Sequence, residues 1–270
     1  KINDVFVSSG GKQILYNALM SSINPNDEVI IPSPYWVSYP DMTLLAGGKP
    51  VVINCTSETG FKLTADALSK VITENSKWLI LNSPSNPTGA CYSKAELESI
   101  AEVVRKHENL YVMTDDIYEY IVYDDFDFFT FAQVAPDLKE RTLTVNGVSK
   151  SHCMTGWRIG YAVGPSLLIK AMIKIQGQST SNASSISQHA ALAGISGNMN
   201  FLKPCLEAFD ERRKYVVSKL NSIPGISCIL PKGAFYAYPD VSGLIGKRTI
   251  DGQTLKNDTE IVEWLLDTAE

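Results

Sequence analysis

The chain has 270 residues, 44% of them apolar and 20% charged, and carries a net charge of −5. That is ordinary globular composition, enough for one large domain or two modest ones. Nothing in it suggests the basic face that nucleic-acid binding requires, and no apolar run approaches the roughly 18–20 residues needed to cross a membrane.

Short apolar runs alternate with amphipathic stretches. Strands are predicted at residues 5–8, 28–31, 50–54, 78–82, 111–114, 142–146 and 159–163. Helices are predicted between them at 13–22, 37–45, 64–72 and 94–106. Ser93, with Glu96 three residues on, supplies a capping box for the last of these. Such alternation predicts an α/β domain with a mostly parallel sheet between helices. Past Gly164 the pattern changes to helices at 167–176, 185–195 and 202–220, then a strand pair at 226–229 and 235–238. Residues 1–195 therefore read as a large domain. Residues 196–270 read as a connecting helix and part of a smaller α+β domain. In 257–270 an apolar stripe of Ile261, Val262, Leu265 and Leu266 marks a helix, with no glycine cap or proline stop after it. The chain begins at Lys1 and runs almost at once into a strand, so both ends read as those of an internal piece of a longer protein. No signal peptide is visible.

Cys55, Cys91, Cys153, Cys205 and Cys228 are odd in number and widely spaced. They read as reduced, cytosolic thiols rather than a disulfide framework or zinc site. His107, His152 and His189 have no metal-ligand spacing, so no metal is expected.

In open α/β sheets ligands bind beyond the carboxyl ends of the strands, and four such ends carry unusual residues. Ser8-Ser9-Gly10-Gly11-Lys12 joins a strand to a helix whose free N–H groups and positive dipole end suit a phosphate. It lacks P-loop and dinucleotide spacing, and alone it fits a plain tight turn as well. Asn82-Ser83-Pro84-Ser85-Asn86-Pro87-Thr88-Gly89 is a proline-stiffened loop that can fix an amide side chain, or an ordinary turn. Asp115-Asp116-Ile117-Tyr118 places a carboxylate where it can pair with a cationic ring nitrogen, and a phenol three residues on; a solvated acidic turn is the alternative. Finally, Asn146-Gly147-Val148-Ser149-Lys150 precedes Met154-Thr155-Gly156-Trp157-Arg158. A lysine at a strand end among small and apolar residues can be desolvated, which lowers its pKa for Schiff-base chemistry. Arg158 offers a planar fork for phosphate. A surface lysine and arginine would be the common case.

In this order and spacing the four segments resemble the class I/II aminotransferases of fold type I. The likeness is strongest to the bacterial aspartate aminotransferase branch that includes aspartate/prephenate aminotransferases. It reaches from Gly10 to Gly233-Ala234-Phe235-Tyr236. The resemblance implies pyridoxal 5′-phosphate as cofactor, and amino acids and 2-oxo acids as substrates, with aspartate giving its amino group to 2-oxoglutarate. Another pyridoxal-phosphate aminotransferase or lyase, or a non-catalytic fragment, is the alternative. It implies a cytoplasmic homodimer when intact, with no nucleic-acid or membrane partner.

By position, Lys150 resembles the catalytic lysine that holds the cofactor and shuttles a proton. Asp115 matches the partner of the ring nitrogen, and Tyr118 and Asn86 match the partners of its phenolic oxygen. Trp36 matches the ring-stacking aromatic; it would otherwise be a core tryptophan. Gly11, Lys12, Ser149 and Arg158 match the phosphate cup. Gly147 stands where some relatives have serine. Lys12 also resembles a contact to the substrate's distal carboxylate, so Lys12, Trp36 and Asn86 are candidate substrate contacts. No substitute arginine is evident in 176–182. The resemblance places the arginine for the substrate's α-carboxylate after Glu270. A gating loop, and a tyrosine that reaches the neighbour's phosphate, fall before Lys1. On this reading the chain is an incomplete and inactive core.

Overall fold

The computed structural model describes residues 1–268. Its strands are β1 (Val5–Ser8), β2 (Glu28–Ser33), β3 (Lys49–Asn54), β4 (Ser76–Asn82), β5 (Tyr111–Asp115), β6 (Thr142–Gly147), β7 (Gly160–Val163), β8 (Ser227–Cys228) and β9 (Pro239–Asp240). Its helices are α1 (Gly11–Ser22), α2 (Ser38–Leu45), α3 (Ala65–Val71), α4 (Lys94–Arg105), α5 (Phe131–Val134), α6 (Ser166–Gly177), α7 (Ser185–Ser196), α8 (Leu202–Asn221) and α9 (Asp258–Thr268). The first seven strands form one sheet in the order β1-β7-β6-β5-β4-β2-β3. Strands β2 to β6 pair in parallel, and β7 runs antiparallel to both β6 and β1.

Alternate residues of the central strands feed two cores, as a period of two demands. Ile30, Leu79, Leu81 and Val112 pack against Leu68 of α3 and Leu97 and Ile100 of α4. Val29, Ile31, Trp78, Ile80 and Met113 pack against Ile14 and Leu15 of α1, Tyr39 of α2 and Ile169 of α6. Each such side chain contributes roughly 2 kcal/mol by leaving water. The result is a sheet between two helical layers, the fold expected. The capping box forms as read: Ser93 Oγ accepts from Glu96 N at 3.3 Å, and Glu96 Oε2 accepts from Ser93 N at 2.8 Å.

Helix α8 is tied to the connection between β5 and α5 by Arg213, whose side chain is 3% exposed. Its guanidinium donates to both oxygens of Asp124 at 3.1 and 2.8 Å, to Asp210, and to the Pro231 carbonyl at 2.7 Å. Those bonds hold the Asp124 carboxyl down to about 2, from an ordinary 3.8. A carboxylate depressed in the folded state adds stability above its unfolded value and loses it as pH falls toward the folded one. Arg213→Ala is therefore expected to cost about 2 kcal/mol near neutrality, a buried-pair loss moderated because both carboxylates are about a third exposed. Between about pH 4 and about pH 2 the variant should lose less stability than the parent. Urea unfolding followed across that window checks this, and equal slopes in the two proteins would refute it.

One expectation needs correction. No strand forms at 235–238; β8 pairs instead with β9. Ala234 turns with φ of 55°, and Phe235 and Tyr236 are drawn into an edge-on aromatic cluster around Tyr118. The helix expected over 257–270 is α9, and residues 269 and 270 lie outside the described residues. Among the described residues no helix is long and apolar enough to cross a membrane.

Candidate active site

The four segments singled out from the sequence meet at one edge of the sheet. There the carboxyl ends of β1, β4, β5 and β6 lie side by side. Because β7 runs the other way, its amino end, with Arg158 and Gly160, reaches the same edge. A cavity of about 340 Å³ opens there, within the size range of small-molecule and cofactor sites. Gly11, Lys12, Trp36, Asn86, Asp115, Tyr118, Ser149, Lys150 and Arg158 all line it.

At one end, Gly10 adopts φ of 97°, and a Cβ there would lie 2.2 Å from Arg158 Nη2. A Cβ on Gly160 would lie 2.5 Å from the Gly11 nitrogen. Both glycines are therefore needed for the α1 backbone and the guanidinium to come together. Helix α1 has no side-chain cap at its start, so its first N–H groups keep their capacity for an anion. Arg158 is itself left-handed, with φ of 55°, and its Nη1 donates to the Thr155 carbonyl at 2.8 Å. Amides, dipole and guanidinium make this end a cradle of phosphate character.

At the other end, Asp115 is buried and accepts from the Tyr39 hydroxyl at 2.8 Å. Burial raises its carboxyl above the ordinary range, opposed by the Tyr39 hydroxyl, the Ile117 amide and the Lys150 charge. Asp116 is also buried and pushed up to about 8 by burial, but it does not line the cavity, and Thr114 Oγ1 donates to it at 3.3 Å. Only the first acid of the pair faces the site.

Asn82 joins two of the segments. Its Nδ2 donates to the Asp115 carbonyl at 2.7 Å, and its Oδ1 accepts from the Asn86 amide at 2.7 Å. The proline loop is thus fastened to the strand that carries the acid.

Lys150 is half-buried in this site. Burial lowers its pKa, with Arg158 adding to the effect and Asp115 opposing it. Its Nζ lies 5.6 Å from the Tyr118 ring centroid and 5.5 Å from that of Phe235. Burial, and then the neighbouring Tyr236, raise the Tyr118 phenol. Trp36 presents its face to the Lys12 ammonium at 4.7 Å and stands edge-on to Tyr39 at 5.5 Å.

Sequence reasoning missed Tyr39, Asn82 and Tyr236 as members of the site. Tyr39 lies in the first turn of α2, three residues after Trp36, and their rings meet edge-on. Asn82 opened the proline loop but its amide was given no role. Tyr236 reads only as the end of the Gly233-Ala234-Phe235-Tyr236 segment and as part of a strand.

The model of the family described as aminotransferase class I and II matches residues 1–269. The chain belongs to this family. It is 58% identical, over 97% of its length, to an aspartate/prephenate aminotransferase of Cereibacter sphaeroides, of which it covers 66%. It is 51% identical to an aspartate aminotransferase of Rhizobium meliloti, again covering 66% of that protein. It thus spans about two thirds of the length of these curated relatives. The crystal structure of an aspartate aminotransferase from Rhizobium meliloti superposes on the whole chain with a TM-score of 0.98 at 50% identity, with 67% of that chain covered. An aspartate aminotransferase from Thermus thermophilus with maleate superposes with a TM-score of 0.85 at 40% identity, over 90% of this chain and 63% of that one. These likenesses agree with fold type I, the fold that the four segments implied.

Proposed function

We propose that the whole protein, of which this chain is the core, is a pyridoxal-phosphate-dependent aminotransferase that moves an amino group from aspartate to 2-oxoglutarate. The observation that carries the reading is the convergence of Lys150, Asp115, Tyr118, Asn86 and Arg158 on one cavity. The donor set fits the cofactor at each end: the glycine-backed cradle at its phosphate, the buried carboxylate at its ring nitrogen. Bound there, the cofactor supplies a conjugated electron sink for the pair left at the substrate's α-carbon.

The chain's own residues do the rest. Lys150 anchors the cofactor through Nζ and takes and returns the proton of the substrate's α-carbon, a task suited to an amine whose pKa burial has lowered. Asp115 holds the proton on the ring nitrogen. Tyr118 and Asn86 donate to the ring's phenolic oxygen. Arg158, Ser149 and the amides of Gly11 and Lys12 hold the phosphate. Trp36 stacks on the ring and, with Asn86, borders the substrate. The Lys12 ammonium meets the donor's second carboxylate, which selects aspartate. Residues 1–195 form the cofactor-binding large domain, and 196–270 the connecting helix and part of a smaller one. We place the protein in the cytoplasm as a homodimer.

The test is to titrate the chain with pyridoxal phosphate, reduce with borohydride and map the label. A visible or near-ultraviolet band, with the reduced adduct on Lys150, is expected; a band with the label spread over surface lysines would overturn the site. Comparing donors in the whole protein then tests the substrate: faster turnover of alanine or aromatic amino acids than of aspartate would remove the aspartate assignment and leave the cofactor site standing.

A further inference from the structure

Tyr236 lies in the segment that follows α8, and two sets of bonds fix its position. The Gly89 carbonyl, at the end of the proline loop, accepts from the amides of Lys232 and Gly233 at 3.1 and 3.0 Å. The Ala234 amide donates to the Ile121 carbonyl at 2.8 Å, and the Tyr123 hydroxyl donates to the Ala234 carbonyl at 2.5 Å. A Cβ on Gly233 would lie 2.5 Å from Pro84 Cγ, so the segment sits directly against that loop. From this base the Tyr236 ring stands edge-on to Tyr118 at 5.7 Å, and the two hydroxyls are hydrogen-bonded.

A phenol has one hydrogen to donate and two lone pairs to accept with. If Tyr118 spends its hydrogen on Tyr236, it cannot also donate into the cavity. If Tyr236 donates, the Tyr118 hydrogen is left to point at an acceptor there. A ring oxygen bearing negative charge is such an acceptor and selects the second arrangement.

We infer that Tyr236 is a positioning residue: its hydroxyl donates to Tyr118, and so aims and strengthens the Tyr118 hydrogen bond to the cofactor's phenolic oxygen. The inference rests on the cofactor reading above. Hydrogen bonds in such a chain polarise one another, so the first donor strengthens the second. A stronger donor draws negative charge off the phenolic oxygen. With the cofactor held by Lys150, the proton at Lys150 Nζ would be shared with that oxygen and would then be held less tightly. The pH at which the bound cofactor's absorbance changes is therefore a direct reading of Tyr236.

The experiment is a pH titration of the cofactor band in the parent, Tyr236→Phe, Tyr118→Phe and the double variant. Phenylalanine at 236 keeps the ring and removes only the hydroxyl. Tyr236→Phe should move the midpoint upward by about half a unit, the scale of one neutral hydrogen bond acting at one remove. Tyr118→Phe should move it further. In the Tyr118→Phe background, removing the second hydroxyl should do nothing, which is the signature of action through Tyr118. An unmoved midpoint in Tyr236→Phe, or the same shift with and without Tyr118, would overturn the inference and leave the cofactor site intact. No band at all in the parent protein would overturn the cofactor reading itself.

Discussion

In the whole protein, Lys150→Ala is expected to lower amino-transfer turnover by about four orders of magnitude or more. One nitrogen has two tasks in the proposed reaction: it anchors the cofactor, and it carries the proton to and from the substrate's α-carbon. Alanine performs neither, and no second amine takes over. Lys12 sits over Trp36 at 4.7 Å, drawn to that ring face on the cavity wall. Lys150→Arg sharpens the test. It keeps the positive charge between Tyr118 and Phe235, yet a guanidinium does not give up its proton near neutrality. If a deprotonated amine matters, as the lowered pKa of Lys150 suggests, arginine should be nearly as inactive as alanine. Steady-state rates at saturating cofactor check this, and turnover within tenfold of the parent in either variant would remove Lys150 from the mechanism.

Asp115→Asn is expected to cost about two to three orders of magnitude in turnover, the scale seen when one preorganised electrostatic partner is lost. The change is nearly isosteric, and the Tyr39 hydroxyl can still donate to the remaining oxygen, so folding should survive. What disappears is the negative charge that keeps a proton on the ring nitrogen. The pH profile carries a second prediction. Burial by itself raises the Asp115 carboxyl above the ordinary range, and a protonated ring nitrogen beside it would pull it back down, so its charge is lost only as the pH falls into the acid range. Activity of the parent should therefore decline on the acid side as that charge is lost. The asparagine variant, with no charge to lose there, should show a flatter acid limb. A decline of the same size in both would assign the acid limb to another group.

Much of this was legible in the sequence because strand periodicity and loop chemistry are local. All seven strands of the main sheet lie where apolar runs predicted them, and α4 begins at the Ser93 capping box. The site segments were visible because each sits at a strand end, where glycine, proline, asparagine or acid stands out against apolar neighbours. What escaped notice depends on distance along the chain. Tyr39 meets Asp115 across 76 residues, and Tyr236 meets Tyr118 across 118. Neither tyrosine differs, in its own neighbourhood, from one packed in a core. The strand expected at 235–238 failed for the same reason: its alternation suited a sheet, but Phe235 and Tyr236 are claimed by aromatic neighbours far upstream. Asp116 shows the converse. Adjacent to Asp115 and chemically identical, it stays out of the cavity lining, where Thr114 Oγ1 donates to it.

The division of β2, β4 and β5 between two cores bears on how the chain can vary. Inserting or deleting one residue within β4 would swap Trp78 and Ile80 with Leu79 and Leu81, and would also carry Asn82 away from Asp115 and Asn86. Length changes inside these strands are thus penalised twice, once in packing and once in the site. The connections at the opposite edge of the sheet bear neither burden. Among relatives of this chain, gaps should therefore gather where helices lead into strands, and the strand-to-helix turns that face the cavity should keep their length even where their side chains differ.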